Sequence, residues 1–75
     1  MLLRELVIDE NVLTLKDVGD SYIIELKNKD CENLFFHEYS DYEEIREVMD
    51  LIVKEYEEEI ITIARLLDIL KDSKN

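Results

Sequence analysis

Seventy-five residues with twenty acids, nine bases and a net charge of −11 make one small domain at most. One cysteine, Cys31, excludes an internal disulfide, and one histidine, His37, excludes a Cys/His zinc site within a single chain. The anionic balance argues against direct binding to nucleic acid, whose phosphates would repel it, and favours basic protein surfaces.

The chain has no proline and one glycine, Gly19, so it contains no linker or low-complexity tract. Charge interrupts Met1-Leu2-Leu3-Arg4-Glu5 too early for a signal peptide, and no run is long enough to cross a membrane. With a lone cysteine, this gives the expectation of a reducing cytoplasm, the host's if the protein is viral.

Residues 3–8 form a brief apolar run, followed by a turn at Asp9-Glu10-Asn11. Residues 12–16 alternate weakly, with Leu13 and Leu15 on one face. Asp17 to Ser21 holds the glycine and is the clearest turn. Residues 21–27 are the clearest strand: Tyr22, Ile24 and Leu26 share one face, Glu25 and Lys27 the other. A polar turn over 28–33 leads to a last strand at 34–39. Connections of hairpin length predict an α+β fold: an antiparallel meander of three or four strands, then one long C-terminal helix.

Ser40-Asp41-Tyr42-Glu43 reads as a capping box with Ser40 as cap. Apolar residues then recur at 42, 45, 49, 52, 56, 60, 63, 67 and 70, always at helical spacing and without a breaker. The pattern predicts one helix over 41–71, about 45 Å long, against strands of about 20–23 Å. The sheet therefore covers about half of the helix.

The overhanging half is the greasier one. In Ile60–Leu70, eight of eleven residues are apolar, and an all-round apolar helix belongs in an interior. Ile60, Ile61, Ile63, Leu66, Leu67, Ile69 and Leu70 are accordingly expected to meet a second copy of the chain, or another protein. A small domain without disulfide or metal has reason to dimerise. A bend near Glu57-Glu58-Glu59 that folds the last turns back onto the sheet is the competing arrangement.

Catalysis has little to stand on. His37 sits in an apolar strand, and Cys31 lies between Asp30 and Glu32, which discourage the thiolate. Asp9-Glu10 and Asp17…Asp20 are too sparse for a calcium loop. No catalytic residue, metal site or cofactor is expected, and an enzyme is the class these residues support least.

The acids of the helix are the stronger candidate. Asp41–Glu59 holds nine carboxylates against Arg46 and Lys54. Glu43, Glu44, Glu47, Asp50, Glu55, Glu57 and Glu58 are expected to point outward or flank the stripe. They would present negative charge about every 5–6 Å, near the phosphate spacing of a nucleic-acid strand. In size and charge, though in no motif, the chain resembles the DNA-mimic inhibitors that bacteriophages encode. That resemblance implies an inhibitor occupying a basic, nucleic-acid-binding surface of a partner protein. Two alternatives share the composition: a homodimeric assembly module, and an antitoxin or immunity protein.

Overall fold

The computed structural model describes residues 1–74. Strands β1 (Leu2–Ile8), β2 (Asn11–Asp17), β3 (Tyr22–Lys27) and β4 (Asn33–Tyr39) form an antiparallel sheet in the order β1-β2-β3-β4. Helices α1 (Tyr42–Glu57) and α2 (Ile63–Asp72) follow.

The turns are built without much glycine. Ile8 pairs with Asn11, leaving a two-residue loop in which Asp9 and Glu10 have φ of 49° and 67°. Such a hairpin needs positive φ at both loop positions, because that twist matches the strands. Asn11 Nδ2 donates to the carbonyls of Ile8 and Asp9 and holds the loop shut. Gly19 supplies the left-handed residue of the second turn (φ 101°), and its amide donates to Asp17 Oδ1. In the third turn Asn28 Oδ1 accepts from the amides of Asp30 and Glu32, and Cys31 takes the left-handed position.

Period-two alternation turns one set of side chains toward the helices. Leu6, Leu13, Leu26 and Phe35 line up across the four strands, and Leu15 pairs with Ile24 beside them. All six are buried, with Ile45, Met49 and Ile52 of α1 and Leu66, Ile69 and Leu70 of α2 above them. The buried Tyr39 hydroxyl bonds Ser73 Oγ, whose own proton goes to the Leu70 carbonyl, so β4 and the end of α2 are tied. Burial raises the Tyr39 pKa, the Ser73 bond partly offsets this, and the Glu44 charge adds to the rise.

The single long helix is the expectation that fails. The helical stretch breaks after Glu57 and resumes at Ile63. The two helices lie side by side as an antiparallel hairpin. A straight helix over the same residues would be about 45 Å long, whereas the longest dimension of the molecule is 31 Å. The sixteen residues of α1 span about 24 Å, which matches the strands.

Burial drives the fold-back. Leu66, Ile69 and Leu70 enter the core, and three such side chains contribute roughly 5–9 kcal/mol. Against that stands Glu59 in the left-handed region (φ 59°), which costs about 1–2 kcal/mol for a residue with a Cβ. Backbone hydrogen bonding is largely recovered. The amide of Ile60 donates to the Glu55 carbonyl and that of Glu59 to the Tyr56 carbonyl, a Schellman ending in which glutamate replaces the usual glycine. Thr62 then caps α2 by accepting from the Arg65 amide.

Two smaller expectations also change. Asp41, not Ser40, caps α1, its carboxylate accepting from the Glu43 amide at 3.0 Å. Tyr42, at the start of the stripe, is exposed but meets the Tyr22 ring edge-on at 5.3 Å. Among the described residues no helix is long and apolar enough to cross a membrane.

Candidate functional site

The outer face of α1 and its C-cap carries six of the chain's twenty acids. At 100° per residue, burial of Ile45, Met49 and Ile52 fixes Glu43, Glu47, Lys54 and Glu58 on the opposite side, with Glu44 and Asp50 on the flanks. Glu43, Glu44, Glu47, Asp50, Glu57 and Glu58 are all exposed. Asp41 at the cap, with Glu43 and Glu44 in the first turn, faces the positive end of the helix dipole.

Little cation compensates this face. Arg46 pairs with Glu43 at 2.8 Å, both side chains more than half exposed, so the pair contributes little to stability. Among the described residues, Glu44, Glu47, Asp50, Glu57 and Glu58 have no ion pair, and neither does Lys54. The open face of the sheet is mixed: among the described residues Glu5 and Glu38 have no ion pair. There Glu25 lies between Lys16 at 3.3 Å and Lys27 at 3.6 Å, so its charge is locally balanced.

Glu55 does not belong to the candidate face. Its side chain is buried between the helices, where Arg65 Nε donates to both carboxylate oxygens (3.1 and 3.2 Å) and Nη2 to Oε2 (3.0 Å). The guanidinium hydrogen bonds hold the Glu55 carboxyl below its ordinary pKa, and Arg65 is raised in turn. A bidentate pair of this kind fixes geometry as well as charge. Glu55 sits three residues after buried Ile52, on the flank of the stripe. Arg65 is the only base between Ile60 and Leu70. Those two facts were the available signal that they pair.

Folding back brings in acids that a straight rod would have placed far away. Asp72 of α2 lines a shallow hollow with Glu47, Val48, Leu51, Arg65, Ile69 and Ser73, about 360 Å³ in volume. Glu44, Glu47 and Asp72 line a second hollow with His37 and Lys74. The acidic surface therefore continues from α1 onto the C-terminal turn of α2.

The seven apolar residues expected at an oligomer interface are divided. Leu66, Ile69 and Leu70 are buried within the chain, while Ile61, Ile63 and Leu67 are half-buried against the same core. Only Ile60 stands out, 61% exposed. The overhang that motivated a covering partner is thus absent from this conformation.

Groups with chemical potential are scattered. Cys31 is exposed in its turn, and half-buried His37 rests against the Tyr39 ring at 4.6 Å. Among the described residues no three His, Cys, Asp or Glu side chains gather where a metal ion could be held. Compared with models of protein families, with curated proteins and with solved structures, the chain matches none.

Proposed function

We infer that this chain is a small acidic protein-binding domain, and that the outer face of α1 docks on a basic surface of a partner protein. Inhibition follows when that surface is one the partner uses for nucleic acid. The observation that supports this reading is the density of unpaired carboxylates along one helix face. On the open sheet face, Glu25 is bracketed by Lys16 and Lys27. On α1, five exposed carboxylates have no ion pair among the described residues, and Asp72 extends the set. A need for solubility alone is met by interspersed charges of both signs. A one-sided field instead steers a partner of opposite sign and fixes its orientation. No cofactor and no direct contact with nucleic acid enter this reading.

Immobilised wild type and the double variant Glu47→Lys/Asp50→Lys are exposed to lysate of the source cells at low salt. Bound protein is then eluted with duplex DNA. The expected result is a basic protein that DNA displaces and that the variant does not retain. Failure to retain any basic protein at low salt, or equal retention by the variant, removes the reading.

A further inference from the structure

We propose that α2 exchanges between two copies of this chain, so that the cleft over β4 and α1 accepts α2 of a partner in place of its own. Four features of the hinge, residues 58–62, point this way. First, the helical spacing of apolar residues runs through the break without glycine or proline, so the local sequence suits a continuous helix. Second, the break rests on Glu59 at φ 59°, a position that favours glycine. Straightening releases that strain, and strained short hinges invite exchange.

Third, the terminal electrostatics are wrong for two separate helices. Glu57, Glu58 and Glu59 crowd the negative end of α1, and the first turn of α2 has no acid. Inside one helix neither defect exists. Fourth, Ile60 is the most exposed large apolar side chain after Met1, and Tyr56 one turn before it is also exposed. In an exchanged dimer two straight helices cross at their hinges, and these side chains cover one another. Every contact α2 now makes, including Glu55 with Arg65 and Tyr39 with Ser73, is remade between chains. The inference does not rest on the acidic-face reading.

The opposing term is the meeting of Glu57, Glu58 and Glu59 from both chains, so exchange is expected to increase with salt. It also requires protein concentrations approaching the effective concentration of a tethered helix, about 1 mM for a short linker. Wild type and Glu59→Gly are unfolded in denaturant and refolded at such concentrations, and the dimer fraction is read by light scattering. Glycine removes the strain of the closed hinge and weakens the straight helix, so dimerisation is expected to fall by at least about tenfold per hinge.

Charge reversal then separates exchange from side-by-side pairing. Glu55→Arg opposes Arg65 within its own chain, and Arg65→Glu opposes Glu55 within its own. Exchanged between the two variants, both junctions regain opposite charges. Mixed and refolded together, they are expected to form a heterodimer that melts above either variant alone. Three results overturn the proposal: a wild type monomeric throughout, a dimer indifferent to Glu59→Gly, or a mixture without heterodimer when either variant folds alone. If neither variant folds, alone or mixed, the comparison of wild type with Glu59→Gly decides.

Discussion

Ile60 and Leu66 lie in one apolar run and look interchangeable in the sequence, yet the fold gives them opposite environments. Leu66 has no exposed surface, whereas Ile60 is 61% exposed. Leu66→Ala removes buried methyl groups and leaves a cavity between α2 and the sheet. For a fully buried leucine that costs about 2.5–5 kcal/mol. Seventy-five residues correspond to a total stability of roughly 4–11 kcal/mol, so this one change removes a large share of it. The thermal midpoint should fall by roughly 10–40 °C, at about 4–8 °C per kcal/mol for a domain of this size. Ile60→Ala removes mostly hydrated surface and should cost less than about 0.5 kcal/mol. Urea denaturation of both variants beside wild type measures the difference, with the slope of each transition as a check on two-state behaviour. Equal destabilisation by the two substitutions would refute the fold-back of α2, as would a negligible effect of Leu66→Ala.

Three further outcomes are expected. Glu59→Gly should stabilise the monomer by about 0.5–1 kcal/mol, because relief of the left-handed strain exceeds the added freedom of the unfolded chain. A lower thermal midpoint would show that the hinge does not use that conformation. Glu55 has a depressed pKa, so its stabilising contribution is present above the ordinary glutamate pKa and is lost as pH falls through the depressed value. Denaturant titrations across the acidic range should therefore show a steeper loss in wild type than in Glu55→Gln, and parallel curves would dismiss the Arg65 latch. Glu47→Lys/Asp50→Lys alters only exposed side chains and should leave the melting curve within about 0.5 kcal/mol of wild type. A large shift either way would mean these acids serve the fold and would remove their use as a binding probe.

The strands were legible because the inward positions of the two central strands alternate with outward ones. Leu13, Leu15, Ile24 and Leu26 appear in the sequence at the period of a pleat, and turn residues bound each run. All four strands were expected within one residue or so of where they lie. The helix break was hidden because its one ordinary signal, the Thr62 cap, comes without a glycine or proline before it. Its terminator is a glutamate in a conformation that normally asks for glycine, and the helical period continues on both sides. Length was the one hint, since an overhang implied either a partner or a bend. What decided for the bend is a tertiary quantity, the burial of Leu66, Ile69 and Leu70 in this chain's own core. Glu55 was misplaced for the same reason: its partner Arg65 comes within reach only after α2 turns back.

The fold-back also sets the size of the acidic face. From Glu43 to Glu58 the exposed carboxylates of α1 extend over about 22 Å, not the length of a 31-residue rod. Asp72 adds width beside Glu44 and Glu47, not length. A partner groove that accepts this face must therefore be short and broad, and it meets the sheet-side Lys16 and Lys27 only on the far side of the molecule, where Glu25 already holds them. Exchange of α2 would join two α1 faces through straight helices and lengthen the acidic surface without adding a residue. A partner that bound one chain in the closed form would then meet two faces on one particle. Its stoichiometry against separated monomer and dimer fractions is the direct reading of which form it recognises. One partner per closed monomer, with two per dimer, places recognition on α1 alone. One partner per dimer, bound more tightly than to monomer, places it on the continuous helix that only the exchanged form possesses.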